Sequence, residues 1–389
     1  MPPPGAFACR SADGASCPRD GDGSGPVFAS AWGPTRATAL AVSTRAFAAF
    51  DPKSPLRAHT IERRAVGPRD VAIEILWSGV CHSDIHQARD EWGGSKFPMV
   101  PGHEIIGRVT KVGAGVKKVK VGELAGIGCM VDSCRVCPQC ERGTEQYCED
   151  GASWTYNSFE RDKTTPTYGG YSTDVVVDEA FALRIDPRLD PASAAPLLCA
   201  GVTMFSPLRH WDVKPGQRVG VIGLGGLGHM AVKLARAMGA EVTVFSTSEK
   251  KRADAIRLGA SELVVSSHEP SMGKLAGAYD LVLDTVSAPH DLSTFTRLLK
   301  TDATLVLLGI PDKPFELPAG SLIGRRRSVA GSVIGGIAET QEMLDFCAEH
   351  GVTADVEIIP IEDINLAYER MLKSDVRYRF VIDVDSLRK

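Results

Sequence analysis

The stretch RVGVIGLGGLGHMAVKLARAMG, residues 218–239, carries three signals in succession. A short apolar run, RVGVI, reads as a strand. It leads directly into a loop in which Gly223, Gly225 and Gly228 fit the pattern G-x-G-x-x-G, with Gly226 and Leu227 between the last two. Apolar residues at helical spacing then follow in HMAVKLARAMG. Glycines at these places let the backbone approach a pyrophosphate, and a helix that starts there offers free N–H groups and the positive end of its dipole. The bland alternative is a tight turn without a ligand; the strand before and the helix after it favour a dinucleotide.

The same alternation continues outward. EVTVFS, ELVVSS, YDLVLDTV and ATLVLLG read as strands, and KRADAIRLGA reads as a helix between two of them. Strands and helices alternating with glycine turns predict a doubly wound parallel sheet over residues 191–330, the cofactor domain of an α/β protein. Residues 37–190 differ. VAIEILWSGV at 71–80, GRVTKVGAGV at 107–116 and YSTDVVVD at 171–178 are short β-rich runs broken by Gly and Pro, which predict an irregular, mostly β domain. The tail, 331–389, holds a helical pattern, ETQEMLDFCAEHG, and ends in YRFVIDV, a strand expected to return to the mostly β domain. A chain of 389 residues suits two cores with a cleft between them.

Which dinucleotide is decided one strand later. A carboxylate about 20 residues beyond the glycine loop accepts from the ribose hydroxyl of NAD. Here the strand EVTVFS ends on Ser246 and continues Thr247, Ser248, Glu249, Lys250, Lys251, Arg252. Hydroxyls and cations suit a 2'-phosphate, so NADP(H) is the expected cofactor. The same residues also read as a helix cap and a solvated helix start.

The bulk numbers exclude other classes. Acidic residues number 48 against 44 basic ones, mixed along the chain, so nucleic acid is not an expected partner. No run approaches the eighteen or so apolar residues of a membrane span. Residues 1–36 contain 12 Gly and Pro and no apolar period; they read as a disordered leader or an upstream start, and Cys9 and Cys17 in it receive no role. With no apolar signal segment, a reducing cytoplasm is expected.

Five of the ten cysteines fall between Gly128 and Cys148. Cys134, Cys137, Cys140 and Cys148 stand as C-x2-C-x2-C-x7-C, tight turns that bring four thiolates to one ion and close a tetrahedral shell. A structural zinc is expected; disulfides and an iron–sulfur centre are the alternatives. Cys129 breaks the spacing and reads as a buried or pocket-side thiol. Elsewhere, Cys81 in GVCHSDIH, His103 in PGHEIIG and Cys199 in LLCAG make a Cys2His set, the composition of a zinc site with one open position that Glu104 could fill. Taken singly, Cys199 reads as a core cysteine and His103 as a structural histidine.

GVCHSDIH, VPGHEIIGRV, the cysteine cluster, APLLCAG and GLGGLGHMAVKLA, in this order, resemble the zinc-containing medium-chain alcohol dehydrogenases, and within them the cinnamyl-alcohol-dehydrogenase-like branch. GSVIGGIAETQEMLDFCAEHG and YERMLKSDVRYRFVID are similar to its bacterial NADP-dependent aldehyde reductases. The resemblance runs from Thr38 to Asp383 and implies a GroES-like catalytic domain beside a Rossmann domain. It implies a catalytic zinc on Cys81, His103 and Cys199, with Glu104 as exchangeable ligand, and hence two zinc ions per chain. Ser83 takes the place of the hydroxyl that bonds the substrate oxygen. His86, or else His82, passes a proton outward, and Asp84 orients a ligand from behind. Near the nicotinamide it points to Thr203, the backbone at Gly309, and Ser332 to Ile334. Trp92 and Trp154 are candidates for an apolar substrate pocket. The implied reaction is reversible reduction of small aromatic or aliphatic aldehydes to primary alcohols, in a homodimer. Two rivals stay open: an NAD-dependent polyol or sugar dehydrogenase on the same fold, and a non-catalytic dinucleotide-binding protein.

Overall fold

The computed structural model describes residues 42–389 apart from residue 312. The leader read at residues 1–36, with its two cysteines, lies outside the described residues. Arg218–Ile222 is an inner strand of a six-stranded sheet, with Glu241–Ser246 on one side and Tyr279–Asp284 on the other. Every pairing in this sheet is parallel. In chain order its strands stand 3-2-1-4-5-6, from Glu262–Val265 at one edge to Ser328–Gly331 at the other. The order reverses between Arg218–Ile222 and Tyr279–Asp284, so a crevice opens beyond their C-terminal ends. Val219, Val221, Val242, Val244, Leu281 and Leu283 are buried, as a parallel sheet covered on both faces requires.

The glycine loop does the work read from it locally. Gly223 turns the chain with φ +89°, in the left-handed region. A Cβ on Gly228 would lie 2.3 Å from the Gly223 carbonyl oxygen, so only glycine lets the helix Gly226–Ala237 start this close to the strand end. That helix buries Met230, Val232 and Leu234 and packs on the first two strands of the sheet.

The second sheet has seven strands. Asp70–Gly79 runs antiparallel to Ile105–Val112, to Asp174–Asp178 and to Arg379–Asp383. The last of these carries the end of the chain back into the first domain. The β run read through residue 116 stops at Val112, because Gly113 packs backbone to backbone on Gly67 and Pro68 and begins a turn. Among the described residues no single helix is long and apolar enough to cross a membrane; Pro191–Leu198 with Ala200–His210 passes on composition as a bent pair, and these segments are almost wholly buried in the core.

Candidate active site and metal centres

Three chain segments meet at the cleft. Cys81 is the N-cap of the helix His82–Ala88, with Val80 between it and the strand Asp70–Gly79. His103 and Glu104 lead into Ile105–Val112, and Cys199 sits at the bend between Ala195–Leu198 and Ala200–His210. Two strand ends and a bend between helices therefore meet at one point. Each of Cys81, His103, Glu104 and Cys199 offers a ligand atom there, all within 4.8 Å of one another, and all four residues are buried. The Cys81 and Cys199 sulfurs are 4.0 Å apart. A disulfide needs about 2.05 Å, whereas two thiolates on one tetrahedral zinc with bonds of about 2.3 Å stand about 3.8 Å apart.

Two buried polar atoms, His103 Nε2 and Glu104 Oε2, have no hydrogen-bond partner. Orphaned donors and acceptors of this kind are costly, and a cation that both could ligate resolves them. The donor set thus fits a zinc. Behind it, the Asp84 carboxylate accepts from the Cys81 N–H at 2.8 Å, from the Gly102 N–H at 3.2 Å and from the Tyr171 hydroxyl at 3.1 Å. The Oδ1 atom that takes the Gly102 N–H also lies 3.9 Å from His103 Nδ1, so Asp84 stands on the far side of the imidazole from Nε2. The His103 ring stacks on Tyr156 with centroids 5.7 Å apart.

Ser83 Oγ is 3.6 Å from the Cys81 sulfur. One turn on, His86 places Nδ1 2.5 Å from the Glu91 carboxylate and stacks its ring on Trp92, centroids 4.9 Å apart. His82 is exposed, with its ring 6.3 Å from that of His86. Trp154 is also exposed, in a short strand paired with Met130–Asp132. Thr203 is buried one turn into the helix after Cys199, and its N–H reaches the Cys199 carbonyl at 2.9 Å. Gly309, Ser332 and Ile334 follow the C-terminal ends of Leu299–Leu307 and Ser328–Gly331, on the crevice side of the parallel sheet.

In the crevice, a Cβ on Gly225 would meet nothing within 4 Å, so the loop leaves an open cradle, and the helix behind it has no side-chain cap on its first N–H groups. Both features fit a pyrophosphate. At the end of Glu241–Ser246, the Ser246 hydroxyl accepts the Ser248 N–H at 3.1 Å while Thr247 is exposed. Lys251 folds back so that its ammonium donates to the Leu224 carbonyl at 3.0 Å, over the glycine loop. Arg252 is held instead by Glu249.

Arg379 was invisible to motif reading. Its guanidinium, 4% exposed, pairs with the fully buried Glu104. A Cβ on Gly226 would lie 2.9 Å from its Nη1, so the same side chain touches the metal group and the glycine loop. The one signal available in the sequence is an arginine at the head of the strand RFVID, directly before three apolar residues. Burial raises the Glu104 carboxyl to about 7, against the pull of Arg379.

Away from the cleft, Cys134, Cys137, Cys140 and Cys148 form a second four-ligand group. Sulfur separations of 3.8 Å (Cys134–Cys140) and 3.5 Å (Cys137–Cys140) again suit a shared ion and exclude a disulfide. Backbone N–H groups of Cys137 and Cys134 point at the sulfurs of Cys134 and Cys148, at 3.3 and 3.4 Å. Backbone amides hold Cys137 down at about 6, while burial pushes Cys140 up to about 12, so a dication that gathers all four thiolates must offset the deprotonation of Cys140. Cys129 belongs to neither group; it is half-buried, with its sulfur 3.9 Å from the Leu198 carbonyl beside the cleft.

Residues 67–187 match the alcohol dehydrogenase GroES-like domain family, and residues 226–349 match the zinc-binding dehydrogenase family. The chain is 58% identical to NADP-dependent alcohol dehydrogenase C 1 of Mycolicibacterium smegmatis, over 88% of this chain and 98% of that one. It is 55% identical to the aldehyde reductase YahK of Escherichia coli, over 87% and 97%. A cinnamyl alcohol dehydrogenase of Sorghum bicolor superposes with a TM-score of 0.86 at 45% identity, over 88% of this chain and 98% of that one. With its Rossmann order, its two zinc-ligand groups and these relatives, the chain belongs to the zinc-binding medium-chain alcohol dehydrogenases, in their cinnamyl-alcohol-dehydrogenase-like branch.

Proposed function

We propose that the chain is an NADP-dependent alcohol dehydrogenase that reduces aromatic and aliphatic aldehydes to primary alcohols and runs the reverse oxidation. The observation that carries this is the convergence of two sulfurs with the orphaned His103 Nε2 and Glu104 Oε2 beside a dinucleotide crevice. The crevice carries hydroxyls and Lys251, in place of a carboxylate, where the ribose phosphate of the cofactor belongs. Relatives named as an NADP-dependent alcohol dehydrogenase and an aldehyde reductase support the reading.

Cys81, His103 and Cys199 would hold the catalytic zinc, with Glu104 as an exchangeable fourth ligand, and Cys134, Cys137, Cys140 and Cys148 would hold the structural one. When bound, the zinc polarises the carbonyl oxygen and NADPH supplies the hydride. Ser83, beside Cys81, would exchange a proton with the substrate oxygen, and His86 would serve as the outward member of that relay. The exposed His82 is the less suitable partner, since nothing orients its ring as Glu91 and Trp92 orient that of His86. The open cradle at Gly225 and the Arg379 guanidinium against Gly226 take the pyrophosphate. Ser246, Thr247, Ser248 and Lys251 take the 2'-phosphate, and Thr203, Ser332 and Ile334 border the nicotinamide.

The same reading assigns residues 37–190 and 331–389 to the catalytic domain and 191–330 to the cofactor domain. It makes the protein a homodimer through the edge strand Ser328–Gly331, near which Ile323 is 77% and Val333 44% exposed. Thiolate ligands suit a reducing cytoplasm. A panel of aromatic and aliphatic aldehydes beside sugars and polyols, assayed with NADPH and NADH on the zinc-replete protein, tests the function. Equal or better efficiency with NADH, or a preference for polyols, overturns it. Light scattering behind size exclusion tests the dimer, and a strict monomer contradicts it.

A further inference from the structure

Between the ligand cysteines Cys140 and Cys148 the metal lobe carries one short turn, Glu145–Tyr147, which meets the chain just beyond the edge strand Ser328–Gly331. The Glu145 carboxylate accepts the Ile337 N–H at 3.0 Å, and the Tyr147 hydroxyl accepts the Val333 N–H at 3.4 Å, partners 192 and 186 residues away in the chain. Ile337 opens the helix Ile337–His350, whose N-cap, Gly336, has no side chain to offer its first N–H groups. A carboxylate from the metal lobe does so instead, at the positive end of the helix dipole. The fit is close. A Cβ on Gly336 would overlap the Gly143 carbonyl oxygen and lie 2.6 Å from Glu145 Oε2, and a Cβ on Gly335 would lie 2.5 Å from Val202 Cγ2.

Ile334 stands between these two hydrogen bonds, buried, with φ +37°, in the left-handed region. A β-branched residue disfavours that region and stays there only where its surroundings hold it. On the sheet side the Ser332 N–H reaches the Leu307 carbonyl at 3.3 Å; on the other side the holding groups are Tyr147 and Glu145.

We propose that Glu145, assisted by Tyr147, is a positioning residue for the cofactor: it clamps residues 333–337 to the metal lobe and so keeps Ile334 in the turn that borders the nicotinamide. The proposal rests on the assignment of Ser332 and Ile334 to that border made above. Without the clamp the turn relaxes toward ordinary backbone angles and the border moves. The glycine loop and the strand end at Ser246 belong to other segments, so the loss falls on the nicotinamide half of the cofactor alone. The Cys148 N–H donates to the Glu145 carbonyl at 3.0 Å, so the order of the cysteine quartet passes directly to the clamp.

The test measures, by calorimetry on the zinc-replete protein, the Kd for NADPH and for adenosine 2',5'-bisphosphate, which lacks the nicotinamide. Glu145→Ala, Glu145→Gln, Tyr147→Phe and Ser332→Trp are compared with the wild type, with zinc content and thermal midpoint as controls. Glu145→Ala should weaken NADPH roughly tenfold, the worth of one charged hydrogen bond, and leave the bisphosphate within about twofold. Glu145→Gln, whose amide oxygen still accepts the N–H, should recover most of that loss, and Tyr147→Phe should cost roughly threefold. Wild-type NADPH affinity in Glu145→Ala overturns the proposal. Equal weakening of both ligands, or loss of zinc, shows that Glu145 only supports the lobe, and overturns it too. If Glu145→Ala does not fold, Tyr147→Phe decides: selective weakening of NADPH upholds the clamp and wild-type affinity ends it. If Ser332→Trp, with bulk on the border itself, also binds NADPH as the wild type does, the segment does not border the nicotinamide and that assignment fails instead.

Discussion

The guanidinium of Arg379 and the carboxylate of Glu104, 275 residues apart in the chain, form a buried ion pair between the metal group and the glycine loop. A pair of this kind costs desolvation to assemble, and removing one partner strands the other charge in a low dielectric.

Replacing Arg379 with Met should therefore lower stability by about 3–5 kcal/mol, the usual cost of breaking a buried pair. The KM for NADPH should rise as well, since a cation is lost from the loop. Adding Glu104→Gln to that variant should recover a good part of the stability and none of the cofactor affinity. Thermal denaturation and steady-state kinetics on the two variants check both statements; an Arg379→Met protein as stable as the wild type would show that the pair contributes nothing.

The two metal groups should separate by mutation. Cys137→Ser should reduce bound zinc from about two ions per chain to about one and make residues 128–151 more sensitive to protease, because the quartet gathers both ends of that lobe on one ion. Cys81→Ser should also leave about one zinc, but with the lobe intact and hydride transfer lost. Metal analysis combined with limited proteolysis distinguishes them, and a brown protein would mean an iron–sulfur centre at the quartet.

Cofactor choice should invert at one position. A carboxylate at Ser246 would face the 2'-phosphate, and Ser246→Asp should shift the ratio of efficiencies from NADPH toward NADH by roughly 100-fold, about 2.7 kcal/mol. Lys251→Ala should raise the KM for NADPH and leave that for NADH nearly unchanged. Paired kinetics with both cofactors measure the ratio.

His229 should make the fold acid-sensitive. It is fully buried, stacks on Tyr378 and donates from Nδ1 to the Gly226 carbonyl, and burial pushes its pKa down to about 3. The unfolded chain binds a proton near pH 6.5 and the folded one does not until about 3, so this contribution is present above 6.5 and is lost as pH falls through that window. The expected loss is about 1.4 kcal/mol per pH unit below 6.5. Denaturation curves at several pH values should show that slope in the wild type and a shallower one in His229→Gln; identical slopes would remove His229 from the account.

Local chemistry was readable without a structure. The turn at Gly223, the close start of the next helix at Gly228 and the alternation around them require only neighbours in sequence, so 22 residues, 218–239, implied a parallel sheet. The C-x2-C-x2-C-x7-C spacing is equally local, since each short turn brings its own sulfurs together. That the strand Glu241–Ser246 ends on a hydroxyl and not on a carboxylate could likewise be read directly, because the strand end and the loop after it are consecutive.

What the tertiary structure decided is everything that depends on segments far apart in the chain being packed together. The Cys81 and Cys199 sulfurs, 118 residues apart, meet only because separate turns converge on one point. Arg379 reaches Glu104 because the last strand returns beside Asp70–Gly79, a pairing that no periodicity encodes. Even the contact of His86 with Glu91, five residues on, depends on how the chain turns after its helix. Sequence by itself determined which ligands and glycines are present, since backbone geometry and side-chain chemistry act over a few residues. Which of them share one site was decided by packing, because burial brings distant groups together and makes each unpaired one costly.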